Sequence, residues 1–412
     1  VISADDIQDC GGLCFPDAAG QTIDFLRSCE KVATAARAAA LVTQQRAQAA
    51  GHDAVLLGEV EAALARVRPD AAARLFMHPL AALDAPVTPH DELRDARSPR
   101  ERAKAIARHL VGHADGPPTS LVFDAETIGS GLYLPHLGIT VLPAPDTVVA
   151  IRQDAGLVRI LRSDGQAVTL PKTGMLPTGL GHPMIRVERR VGPFAVLNDL
   201  PEVQATFRGF LPAQEPEADI LGQRLAAGIA LLQELWPSAA DSLSRHVTAV
   251  VLLQTRAHER SHSPVTLAGA ILLTASSPVT VGDLLCHEAS HVRMHWLQRV
   301  GPLLTLREPA LATAGFPSPW RSDRRPIDGL LLGVHAFLNV CEWYRRVEAR
   351  CPSQSGIAHL IRHRQAANVW TAFETLNAAA EATRLSAPLM KDLRAAVRAL
   401  RQSTSERRAT HV

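Results

Sequence analysis

The spacing of apolar residues changes twice along the chain. Between residues 20 and 113, stretches such as "KVATAARAAALVTQQRAQAAGHDAVLLGEVEAALARVRPDAAARLF" repeat Ala, Leu and Val at helical intervals among Arg and other polar positions, which predicts several amphipathic helices. From "SLVFDAETIGSGLYLPHLGITVLPAP" onward the apolar runs shorten and are broken by Gly, Asp and Pro, which predicts strands. Asp154-Ala155-Gly156 and Asp164-Gly165 read as hairpin turns. Helical spacing returns at about residue 216, interrupted by "HVTAVVLLQ" (246–254) and "AGAILLTAS" (268–276), two continuous apolar runs that read as buried strands. The expected fold is α+β and mainly helical: a helical region at 1–116, a β-rich region at 117–215 and a third unit at 216–412. No internal repeat of roughly 20 to 50 residues is evident.

The run "SSPVTVGDLLCHEASHVRMHWLQRV" then supplies chemistry. Ser276 or Ser277 with Pro278 gives a helix start, and Gly301-Pro302 gives its stop. Inside lie His287, Glu288 and His291 in the order His-Glu-x-x-His. Positions i and i+4 share one face of a helix, so both imidazoles can reach a single metal ion, with Glu288 beside its open positions. Strands feeding such a helix make 216–412 a candidate zincin-like catalytic domain. Cys286 projects about 100° around the helix from His287 and is expected to pack in the core. Cys10, Cys14 and Cys29 have no matching His pair and read as free thiols.

Two imidazoles do not complete a site. His295 would lie about 12 Å along the axis from His287, which makes it a supporting residue rather than a ligand. The next predicted helix, "DGLLLGVHAFLNVCEWYRRVEAR" (328–350), carries His335 and Glu342 two turns apart on one face, and either could supply the third ligand. Between the helices, "GFPSPWRSDRRPIDG" offers Trp320 as an apolar anchor and three guanidinium groups, Arg321, Arg324 and Arg325. An Arg fork suits a carboxylate, although ion pairs with Asp323 and Asp328 would use the same groups. In "TRAHERSHSP" (255–264), His258, His262 and Ser263 either line a peptide cleft along an edge strand or form an exposed loop. "HLIRH" (359–363) reads as a solvated helix face, and "TGMLPTGLGHP" (173–183) as turns.

Composition removes some function classes. Lys and Arg number 43 against 41 Asp and Glu, for a net charge of +2, which gives no electrostatic footprint for nucleic acid. No apolar run approaches the roughly 20 residues of a membrane span, and "VISADDIQDC" lacks the pattern of a signal peptide, so a cytoplasmic protein is expected.

The run "LLCHEASHVRMHWLQRVGPLL", followed by "PSPWRSDRRPIDGLLLGVHAFLNVCEWY", resembles the His-Glu-x-x-His-type peptide-modification proteins encoded with ribosomally made peptide natural products. These are regarded as iron(II)- and 2-oxoglutarate-dependent peptide β-hydroxylases. The likeness spans about residues 260–350 and rests on the motif helix, the Trp-Arg then Arg-Pro segment and the Gly-Leu-Leu helix in that order. It implies an oxidoreductase in which His287 and His291 hold Fe(II), with Glu342 or His335 as third ligand. It further implies that 2-oxoglutarate chelates the iron while Arg321 or Arg325 holds its far carboxylate, and that molecular oxygen hydroxylates a side-chain β-carbon of a precursor peptide. Glu288 would then orient a water, a ligand or a substrate group. The motif by itself favours a zinc metallopeptidase in which Glu288 is the general base. A peptide-binding protein that keeps the metal only for folding is the third reading.

Overall fold

The computed structural model describes residues 15, 20–47, 49, 51–76, 78, 80–81, 98–113, 116–124, 128, 131–142, 144, 146–154, 156–172, 182–200, 203–204, 210–254 and 261–409. His258, Cys10, Cys14, the Cys29 side chain and most of "TGMLPTGLGHP" lie outside them. Helices and strands alternate in blocks, as an α+β chain requires.

The first block holds helices α1 (Gly20–Arg46), α2 (Gly51–Ala65), α3 (Pro69–Leu75) and α4 (Pro99–Ala107). α4 opens on a reciprocal cap: Ser98 Oγ accepts from the Glu101 amide at 3.2 Å, and the Glu101 carboxylate accepts from the Ser98 amide at 2.7 Å. Strands β1 (Thr119–Phe123), β2 (Leu132–Leu134), β3 (Ile139–Val141), β4 (Val149–Gln153), β5 (Leu157–Arg162), β6 (Ala167–Pro171) and β7 (Ile185–Val187) follow. They form two antiparallel sheets, β1-β4-β5-β6 and β2-β3-β7. Both anticipated hairpin turns are present: Asp154 Oδ1 accepts from the amides of Gly156 and Leu157, and Gly165 adopts φ of 90° while Asp164 Oδ1 accepts from the Gln166 amide. Leu57, Phe76 and Ile106 from the helices share one core with Phe123, Ile151 and Ile160 from the sheet.

His136, in the turn between β2 and β3, ties these layers together. Its Nε2 donates to the carbonyls of Leu75 at 2.8 Å and His109 at 3.1 Å. Desolvation, helped by the nearby His113 and His109, lowers its pKa to about 3. The unfolded chain, with an ordinary histidine pKa of about 6.5, therefore binds more protons than the folded one between these values. Its contribution is intact above the unfolded pKa and is lost progressively as pH falls toward the folded one. Urea melts at pH 5 and pH 7.5 should show a larger loss of stability at pH 5 for the wild type than for His136→Gln; equal losses would remove His136 as a cause.

The second block is built on a five-stranded sheet ordered β11-β12-β10-β9-β8. It takes β8 (Arg190–Val191) and β9 (Phe194–Val196) from before residue 216, then helices α5 (Glu217–Leu235) and α6 (Pro237–His246), and strands β10 (Ala249–Leu252), β11 (Ser261–His262) and β12 (Ala270–Leu273). β10 runs parallel to β9 and β12, while β11 pairs antiparallel at the edge, His262 opposite Leu272. Every residue of β10 and β12 is buried. Val250, Leu252, Ile271 and Leu273 pack under the helices, and Val251 and Leu272 pack on the opposite face against Leu197 and Leu267. Cover on both faces explains why these strands are continuously apolar rather than alternating.

β12 leads into helix α7 (Pro278–Gln298), with Ser277 as its cap, accepting from the Thr280 amide at 3.2 Å, and Pro278 in its first turn. Strands β13 (Leu304–Leu306), β14 (Phe316–Ser318) and β15 (Arg321–Arg325) precede helices α8 (Ile327–Arg350) and α9 (Ser355–Ala379). Strand β16 (Ala380–Ala382) then pairs with β13, and helix α10 (Ala387–Ala409) follows. On α9, His359 is half-buried and bonded to Glu348 at 3.1 Å, so "HLIRH" is partly a packed face and not wholly solvated as expected. Among the described residues, no helix is long and apolar enough to cross a membrane.

Candidate metal centre

Two glycine contacts fix α7 before any ligand is considered. A Cβ on Gly228 of α5 would overlap Val281, and a Cβ on Gly282 would overlap the Trp343 ring of α8, lying 2.7 Å from its Cε2. The Trp343 indole is fully buried and donates to the Val279 carbonyl at 3.0 Å. A buried Arg adds a polar tie, because Arg293 Nη2 lies 3.1 Å from Asn339 Oδ1 and the Asn339 amide donates to the His335 carbonyl at 2.9 Å.

On this fixed helix His287 and His291 converge. Their Nε2 atoms lie 3.0 Å apart and their rings meet edge to face at 87°. Two nitrogens bound to one ion at about 2.0–2.1 Å would be separated by roughly 2.8–3.4 Å for bond angles between about 90° and 109°. Desolvation lowers the pKa of both rings, and for His291 the neighbouring His287, His295, His335 and His262 lower it further. Neutral imidazoles with converging nitrogens are the form that a metal ion takes. Nδ1 of His291 is buried without a hydrogen-bond partner, so Nε2 is the engaged nitrogen of that ring.

Glu288 is 2% exposed and accepts a 2.5 Å bond from Ser263 Oγ, immediately after the edge strand. His262, one residue earlier, stacks on Phe210 at 5.4 Å with 2° between the rings. Desolvation lowers the His262 pKa and the Glu288 charge opposes that shift. His262 and Ser263 thus stand beside the motif. His295 stacks on His291 at 6.2 Å, and burial, with Arg299 and His262, lowers its pKa to about 4.

The two candidates for a third ligand separate. His335 is completely buried and close enough to His291 to shift its pKa. Glu342 is committed to cations on its own helix: Arg345 binds both its oxygens at 2.6 and 2.7 Å, and Arg346 Nε donates at 2.8 Å. Its charge acts on the Cys286 thiol, whose pKa burial raises first and Asp283 and Glu342 raise further. The face it shares with His335 in a helical projection does not direct its carboxylate to the motif, because Arg at i+3 and i+4 holds it. Among the described residues, no group of three His, Cys, Asp or Glu side chains is placed to hold a metal ion.

Arg321 and Arg325 occupy the exposed strand β15 and share one carboxylate. Arg321 Nε donates to Asp323 Oδ1 at 2.7 Å and Arg325 Nη1 to Oδ2 at 3.4 Å. Arg324 donates to the carbonyls of Ala314 and Gly315. What the hairpin sends toward the motif is Trp320, stacked on Phe337 of α8 at 4.6 Å, and Phe337 meets the His287 ring at 4.7 Å. Sequence reasoning passed over Phe337 and Phe210. The available signal for Phe337 was its place four residues after Gly333, on one helix face.

No protein-family model and no curated protein matches this chain.

Proposed function

We propose that this chain is an iron(II)- and 2-oxoglutarate-dependent hydroxylase that modifies a side-chain β-carbon in a ribosomally made precursor peptide, using a zincin-like domain around α7. The observation that carries the reading is the 3.0 Å convergence of two desolvated histidines beside β11, the end strand of its sheet among the described residues. His287 and His291 would hold the ion, and ferrous iron with 2-oxoglutarate and molecular oxygen supplies the oxidising power for C–H hydroxylation. Glu288 is tied to the strand by Ser263, so its part is to orient the substrate edge. The outer side of β11 offers backbone groups to an extended peptide, which would add as a further strand beside the His pair. Stacked Phe210 and His262 bound that path. A substrate fresh from the ribosome makes the enzyme cytoplasmic.

The second reading, a zinc peptidase with Glu288 as general base, draws on the same helix and on the position of Glu288 next to His287. Anaerobic titration with Fe(II) and then 2-oxoglutarate separates the two. A weak visible charge-transfer band should form in the wild type, disappear in His287→Ala and persist in Glu288→Gln. A chain that binds zinc tightly, gives no such band and loses peptide hydrolysis by roughly 1,000-fold in Glu288→Gln is a peptidase.

A further inference from the structure

The Trp320 hairpin lies 33 residues from His287 in sequence, yet one aromatic column joins them. Ser318 pairs with Arg321, so Pro319 and Trp320 form the tip between β14 and β15. The tip is held from several sides. Trp320 Nε1 donates to Gln365 Oε1 of α9 at 3.0 Å, and its ring covers Gly333 of α8 so closely that a Cβ there would lie 2.9 Å from Cζ3. The indole stacks on Phe337 with 7° between the planes. Phe337 then meets His287 at 73°, edge to face, while the His291 ring meets His287 at 87° from its other neighbour.

An imidazole left to itself rotates broadly about its last torsion, which would swing Nε2 away from its partner. Two rings packed edge to face against it, Phe337 and His291, restrict that freedom. We infer that Trp320 is a positioning residue for the metal site, acting through Phe337 to fix the His287 ring so that its Nε2 meets that of His291. The inference rests on the reading that His287 binds a metal. It gives the Trp-Arg hairpin a role in which the indole faces the site, while Arg321 and Arg325 are engaged outside with Asp323. It also accounts for glycine at 333, where any side chain would displace the indole.

Co(II) is the probe, titrated into the full chain under anaerobic conditions while its visible ligand-field absorption is followed. Trp320→Ala should weaken Co(II) binding by about 10- to 100-fold, the effect of losing a group that orients a ligand, and should change the absorption envelope. Trp320→Phe, which keeps a flat ring on Phe337, should restore most of the affinity. Gly333→Ala, which leaves the indole in the chain but pushes it off its seat, should reproduce the Trp320→Ala spectrum. If Trp320→Ala lowers the thermal midpoint but keeps wild-type Co(II) affinity and absorption, the column only packs the hairpin and the inference is wrong. A wild type that binds no Co(II) overturns the metal reading itself, and is recognised before any variant is made.

Discussion

Replacing His291 with alanine is expected to abolish tight metal binding and leave the apoprotein folded. Its Nε2 is one of two nitrogens 3.0 Å apart, so truncation removes one of the two proposed ligands. Glu288 is held by Ser263. The loss should exceed the roughly 10- to 100-fold that follows removal of a mere supporting group. Stability behaves differently, because two effects oppose each other. Removing the ring opens space, which in a core costs about 2–5 kcal/mol, but it also removes a buried nitrogen without a partner, whose burden is about 1–3 kcal/mol. Taking the middle of each range, the net loss should be about 1.5 kcal/mol. Thermal melts with and without metal test both halves: the wild type gains about 2.7 kcal/mol at a metal concentration 100 times its Kd, and the variant gains nothing. A metal-induced shift of wild-type size in His291→Ala would remove this residue from the ligand set.

The largest loss of stability should come from Gly282→Ala. The added methyl would overlap an indole that is fully buried, hydrogen-bonded to the Val279 carbonyl and unable to move without displacing α8. Overpacking of this kind costs typically 1–3 kcal/mol, and a rigid ring against a helix backbone belongs at or above the top of that range. The thermal midpoint should fall by several degrees or more, and Trp343→Leu added to Gly282→Ala should recover part of the loss. Unchanged stability in Gly282→Ala would mean that α7 and α8 are farther apart than described.

These two substitutions mark what could and could not be read from the chain. The motif, the helix start at Ser277-Pro278 and the doubly covered strands were legible because each depends on neighbours a few residues apart. Glu342 was misleading for the same reason: its i+3 and i+4 arginines are as local as its spacing from His335, and ion pairing with them dominates. Arg321, Asp323 and Arg325 alternate along one strand, so the shared carboxylate is also a local outcome. The bond from Ser263 to Glu288 and the column from Trp320 to His287 join segments brought together only by tertiary packing, and no periodicity reports them. Gly282 is a case between, since a helical glycine signals close approach without naming the partner.

The close glycine contacts on both flanks of α7 also divide the molecule by tolerance to change. α7, which carries the histidines, can drift little against Gly228 of α5 or at its own Gly282, where even a methyl group has no room. Beside it, the segment just after the edge strand meets the helix through the Ser263 side chain, and the hairpin tip reaches it through Phe337 of α8. Under the proposed function, divergence can therefore rewrite residues along β11, and with them the choice of peptide, while Trp320 at the hairpin tip keeps the pair of histidines in register. Directed evolution of new substrate preference should find its useful substitutions along β11 and almost none at Trp320 or along the buried flanks of α7.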